Sequence, residues 1–198
     1  MTQAPGLRAR KKQDTARRIE AVALDLFGRD GFEATTVEAI AAAADISPRT
    51  FFHYFATKED VALADYADRL AAVTRTLEAQ PAKTRPWKAL AAAFGAVAAD
   101  YESERDALVG RFRIMVGAPS VFARSLQLQA GWEDAVAAVL ADRMGAGDSD
   151  IEPRLLAAAG LAAMRSAMHH WLATGTSTGL PDEVQSCFRR LGRGLDKA

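Results

Sequence analysis

Apolar side chains recur along this chain with the period of a helix almost everywhere outside a few turns. Ile19, Val22, Ala23, Leu26 and Phe27 stand at i, i+3, i+4, i+7 and i+8, which gathers them on one face of a first helix. Gly31 follows, a natural place for the chain to leave a helix and turn. Thr35 or Thr36 offers an N-cap, and Val37, Ile40, Ala41 and Ala44 supply the face of a short second helix. Ser47 is a capping residue, and Pro48 fits the first helical position, where its missing N–H costs nothing. They open a third helix over about 47–54. Further on, the pattern predicts helices over about 58–79, 86–102, 104–116, 152–174 and 182–195. The segment from about 120 to 144 reads as one long helix or two, with Gly131 as the weak point. The stretches QPAKTRP, GAGDSD and TGTSTGLP read as loops by composition. Alternating β-branched runs and Asn-Gly turns, the marks of strands and hairpins, are nearly absent. The expected fold is all-α, with about nine helices and no internal repeat.

Length and composition narrow the class. The chain has 198 residues, 49% hydrophobic and 25% charged, enough to bury a real core and unlike a disordered polymer. Its longest mostly apolar stretches, LAAAFGAVAA and LLAAAGLAAM, fall far short of the roughly 18 residues that a membrane span needs. No apolar run follows the charged N-terminus, so neither a secretory signal nor a membrane partner is expected, and the protein reads as cytoplasmic. A single cysteine, Cys187, leaves no intramolecular disulfide and no cysteine-based zinc site. His169 and His170 are adjacent, so on a helix they point about 100° apart, and no metal is expected there.

Net charge is zero, but its distribution is uneven. Arg8, Arg10, Lys11, Lys12, Arg17 and Arg18 face only Asp14 within the first 18 residues. Local charge rather than net charge sets a contact field, so this end can dock on a polyanion. The expected organisation is a basic flexible arm at 1–13, a first domain at 14–62 and a second at 63–198.

Two short helices joined by Ala44-Asp45-Ile46 have the size and spacing of a helix-turn-helix. Small Ala41 and Ala44 let the helices approach. The turn calls for a left-handed backbone, which Asp45 tolerates better than most residues. The second helix of the pair presents Ser47, Pro48, Arg49 and Thr50 at its head. Arg forks onto guanine's acceptors or onto phosphate, and Thr bonds phosphate or touches a thymine methyl. The helix dipole also favours phosphate at that end.

The run TTVEAIAAAADISPRTFFHYFATKED resembles the DNA-binding segment of TetR-family transcription regulators, a likeness that covers roughly residues 14–62. It includes Leu26-Phe27 and Gly31, and a recognition helix ending aromatic-x-aromatic-Phe before Thr-Lys-Glu. By that resemblance Thr36 and Lys58 bond phosphate, while Ser47, Pro48, Arg49 and Thr50 face the major groove of a double-stranded operator. The family's usual Tyr is replaced by Phe52 and its common His by Tyr54, so the lost phosphate donor is supplied by Tyr54 or by His53. Arg17, with the rest of the basic arm, adds phosphate or minor-groove contacts. Phe51 and Phe55 are expected to face inward.

In TetR-like proteins the second domain dimerises through its last two helices and encloses an effector pocket. Here those are the helices at about 152–174 and 182–195, with Leu161, Met168, Leu172, Phe188 and Leu191 on the expected homodimer face and Leu195 at its end. The stretch RFRIMVGAPSVFARSLQLQAGWE is similar to the ligand domain of mycofactocin-type regulators, a subgroup linked to acyl-CoA-like effectors. Phe94, Tyr101, Phe112, Trp132 and Met164 are the expected apolar lining, with Arg111, Arg113 or Arg124 at a mouth to meet phosphates. The resulting expectation is a ligand-responsive repressor without a cofactor. It binds a palindromic operator as a homodimer and is released by a small apolar or acyl-CoA-like effector. One alternative is a DNA-binding regulator whose second domain docks a protein partner. A remote one is a helical acyl-thioester hydrolase, but no paired His and Asp stand with a candidate Ser or Cys, so no enzyme is expected.

Overall fold

The structure is a computed structural model that describes residues 7–147, 149–174 and 178–194. The first residues of the expected arm, part of the loops before and after 152–174, and Leu195 lie outside the described residues. Ten helices and no strand are found among the described residues. Where the sequence pattern predicts an arm to residue 13, helix α1 (Leu7–Asp30) already begins at Leu7. Its first turns are rich in Arg, Lys, Ala and Gln, all good helix formers, so basic character and helix are compatible there.

The chain divides into two compact units, 1–64 with 109–126, and 65–108 with 127–198. The first holds α1, α2 (Val37–Ala43), α3 (Pro48–Tyr54) and α4 (Lys58–Ala62). It also takes the end of α7 (Arg105–Gly117) and the start of α8 (Pro119–Met144). Its buried side chains follow the predicted helical period: Ile19, Ala23, Leu26 and Phe27 from α1, Ile40 and Ala41 from α2, and Phe51 from α3. Phe32 stacks on Phe27 at 4.8 Å between ring centroids and closes the loop between α1 and α2.

The second unit holds α5 (Tyr66–Glu78), α6 (Pro86–Ser103), α9 (Glu152–Thr174), α10 (Leu180–Gly192) and the remainders of α7 and α8. Its core runs through Leu77, Leu90, Phe94, Val97, Leu140, Ala167, Trp171, Val184 and Phe188. The crossing of α6 and α9 is close because position 160 is glycine: a Cβ there would lie 2.6 Å from Leu90 Cδ2 and 3.2 Å from Phe94. The Trp87 indole N–H donates to the Phe188 carbonyl at 3.1 Å, and the Gln185 amide donates to Ala91 O at 2.9 Å. Both bonds pin α10 along α6. Arg143 on α8 donates to the carbonyls of Leu77, Gln80 and Pro81, which satisfies the end of α5.

A further departure from the predicted pattern falls within residues 58–79. The single helix expected over 58–79 is two, because α4 ends at Ala62, capped by Leu63, and α5 starts at Tyr66. This stretch has no glycine or proline, and the break falls where one unit ends and the other begins. Helix α8 runs unbroken through Gly131, whose propensity cost of about 1 kcal/mol is small for a helix of 26 residues.

Candidate nucleic-acid interface

The pair α2–α3 is built by local bonds that the sequence specifies. Thr36 caps α2, its hydroxyl oxygen accepting from the Ala39 amide at 3.1 Å. The turn then closes by two bonds: the Asp45 N–H donates to Ala42 O at 3.1 Å and the Ile46 N–H to Ala41 O at 2.9 Å. This pairing requires a left-handed residue between them, and Asp45 takes it with φ 52°, as the turn chemistry predicts. Ser47 caps α3 by accepting from the Thr50 amide at 3.0 Å, and the two hydroxyls lie 2.9 Å apart. Pro48 occupies the first helical position. Phe51 is wholly buried and meets both Phe52 and Phe55, so it locks the helix to the module's core.

Of the predicted DNA-facing residues, Arg17, Thr36, Ser47, Pro48, Arg49 and His53 are exposed, and Thr50 and Tyr54 are half-buried. Phe55, expected inside, is only half-buried. The His53 and Tyr54 rings meet edge to face at 5.4 Å. Tyr54 and Phe55 also wall a groove of about 310 Å³ whose other side is Lys12, Gln13 and Ala16 of α1. The end of α3 and the basic start of α1 therefore share one surface. Sequence reasoning did not single out Lys12 or Gln13 as a pair with Tyr54, because only the fold brings α1 against the end of α3.

Lys58 is a correction. Its ammonium donates to the carbonyls of Phe32 at 2.8 Å, Thr35 at 3.1 Å and Glu33 at 3.4 Å, and sits 4.4 Å from the centroid of the Phe32 ring. An ammonium has three donors, and three carbonyls take them. Lys58 thus fixes the loop that leads into α2, and its ammonium is spent on the protein's own backbone. Phe52 is the opposite case: noted in the sequence for the hydroxyl it lacks, it stands 56% exposed on the reading helix, an apolar surface in its own right.

The residues named for the effector and the dimer are dispersed. Phe94, Tyr101 and Met164 are buried in the core of the second unit, and Trp132 is half-buried against Tyr66 at 5.6 Å. Arg69 lies over the Tyr101 ring at 3.5 Å and pairs with Asp65 at 2.5 Å. Burial pushes the Tyr101 phenol well above its ordinary range, against the opposing pull of Arg69. Arg111 and Phe112 belong to the 109–126 segment of the first unit. Arg111 pairs with Glu20 and Arg124 with Asp60, both within the first unit. Phe188 is buried inside its own chain by Trp87 and Phe94, at 4.7 and 5.9 Å, which removes it from the expected dimer face. Leu161, Met168, Leu172 and Leu191 are half-buried and pack at the edge of that core.

Comparison with known proteins agrees with this geometry. Residues 19–64 match the family described as bacterial regulatory proteins, tetR family, and residues 84–196 match the MftR C-terminal domain. A protein of Mycobacterium tuberculosis that bears the name of a mycofactocin biosynthesis transcriptional regulator, MftR, is 32% identical over 188 residues. That match spans 95% of this chain and 94% of the relative. The HTH-type transcriptional regulator TcmR of Streptomyces glaucescens is 36% identical over 174 residues, 84% of this chain and 77% of the relative. Among solved structures, Thermus thermophilus FadR, a TetR-family transcriptional repressor in complex with lauroyl-CoA, superposes with a TM-score of 0.63 at 26% identity. It covers 91% of this chain and 94% of its own. The chain belongs to the TetR family of transcriptional regulators, with a helix-turn-helix DNA-binding module and an MftR-type C-terminal domain.

Proposed function

We propose that this regulator is a repressor that reads a palindromic operator as a homodimer and releases it on binding an acyl-CoA-like effector. The observation that carries the proposal is the head of α3, where a capped N-terminus and buried Phe51 hold Arg49 and Phe52 outward on one rigid helix. Two copies set two such helices into major grooves one helical turn, about 34 Å, apart. Arg49 forks onto guanine O6 and N7, and the Phe52 ring meets a thymine methyl. Tyr54, Lys12 and Gln13 take the backbone: ring and aliphatic stem lie on deoxyribose, while hydroxyl, ammonium and amide reach phosphate. Tyr54 thereby supplies the donor that Phe52 lacks, and Arg17 extends the contact along α1.

The dimer forms through α9 and α10, whose outer flank carries Leu161, Met168, Leu172 and Leu191, in a four-helix arrangement. Lauroyl-CoA bound to the Thermus thermophilus relative supports an acyl thioester as effector class. The second unit offers Tyr66, Arg69, Tyr101 and Trp132 as an aromatic and cationic end for such a ligand. To release DNA, the effector has to bind the DNA-incompetent form more tightly than the competent one. A fluorescent duplex selected by the protein from a random pool tests this. Lauroyl-CoA should lower its anisotropy to that of free DNA, and free CoA or laurate should do so far less. A duplex that stays bound throughout a panel of acyl-CoAs contradicts the effector class.

A further inference from the structure

We propose that two ion pairs inside the first unit form a latch that orients the DNA-reading helices, and so sets operator selectivity; this rests on the operator reading above. The segment 109–126 is the end of α7 and the start of α8, yet it groups with α1–α4. Chain continuity makes it the place where a rearrangement of those two helices enters the reading module. Two of its arginines reach side chains on the helices of the module. The Arg111 guanidinium pairs with the Glu20 carboxylate of α1 and donates to Ala62 O, at the end of α4, at 3.3 Å. Arg124 Nε donates to the Asp60 carboxylate, in the first turn of α4, at 2.8 Å. Both acids sit on the module's own helices and both bases on the segment.

Burial gives these pairs weight. The Arg111, Glu20 and Asp60 side chains are 16%, 21% and 19% exposed, and only Arg124, at 41%, is substantially in water. Removing one partner leaves a part-buried charge uncompensated, which costs more than losing a surface pair. The segment also buries Ala118 and Val121, and the Ser125 hydroxyl turns back to donate to Phe122 O at 2.7 Å. The two anchored helices support the reading pair α2–α3. Helix α1 carries Lys12 and Gln13 beside Tyr54, and α4 carries Lys58, which holds the loop into α2.

The test compares full-length wild type with Glu20→Gln, Arg124→Gln, the double variant and Arg124→Lys. The double variant removes one acid and one base, so its net charge, and with it general attraction to DNA, is unchanged. Two quantities are read: hydrogen exchange of peptides within 109–126, and the ratio of affinities for a selected duplex and a scrambled one. In the double variant, exchange should speed up and the affinity ratio should fall, each by at least about threefold, with scrambled-duplex affinity unchanged. Arg124→Lys, which keeps the charge, should lie nearer wild type than Arg124→Gln in both quantities. Unchanged exchange, an unchanged ratio, or equal loss on both duplexes overturns the latch, the last because a merely structural role lowers all binding alike. If wild type itself prefers no duplex, the operator reading fails, and the exchange measurement alone decides whether the pairs hold the segment.

Discussion

The ammonium of Lys58 lies within hydrogen-bonding distance of three backbone carbonyls, and that geometry decides between two uses of one side chain. The motif indicates that a lysine belongs at this place but not where its amine points, because the carbonyls come from residues 23 to 26 positions earlier. Lys58→Met should lower stability by about 1–3 kcal/mol through orphaned carbonyls, seen as a lower Tm, and leave the salt slope of DNA binding unchanged. Arg49, in contrast, was legible from its position alone, at the head of a capped helix with nothing to bury it. Arg49→Ala should cost about 1–3 kcal/mol of discrimination between selected and scrambled duplexes, measured by competition; equal loss on both would make it a phosphate clamp. Tyr101 gives a pH test. Its folded-state pKa lies above the ordinary value of 10.0, chiefly through burial, so its contribution is intact below about pH 10 and is lost as pH rises beyond it. The alkaline fall in Tm should therefore be shallower in Tyr101→Phe than in wild type.

At the level of elements, periodicity located the helices and tertiary packing set their ends. The faces of α1, α2 and α3 were readable because Ile19, Ile40 and Phe51 fall at core spacing, and caps at Thr36 and Ser47 marked the starts. The break between α4 and α5 was not readable, since Leu63, Ala64 and Asp65 are acceptable helix residues and no turn signal interrupts them. Gly160 is another feature whose meaning lies in the neighbour. In sequence it is a weak spot in an apolar run; in the fold it admits Leu90, which is fully buried. Gly160→Val should overpack the α6–α9 crossing and cost about 1–3 kcal/mol in denaturant unfolding, whereas the same change at Gly131, where an added Cβ meets nothing within 4 Å, should cost less than that.

The whole chain joins a reading module to a larger helical unit, and the likeness to MftR and TcmR over most of its length makes it a transcriptional regulator of the TetR family. The class was visible in the sequence because the helix-turn-helix packs its chemistry into residues 36–58. The effector and dimer residues were much less so. Aromatic and apolar side chains on amphipathic helices serve a core and a ligand equally well, and Phe94 and Phe188 prove to be core. On the proposed reading, two copies of α3 read a palindrome. Selection of duplexes from a random pool, followed by native mass spectrometry of the bound winner, tests it most directly. The expected winner carries two inverted half-sites spaced by one helical turn and is bound by two chains, with enrichment lost in Arg49→Ala. A pool that emerges without sequence preference, or a single chain on an asymmetric site, would contradict it.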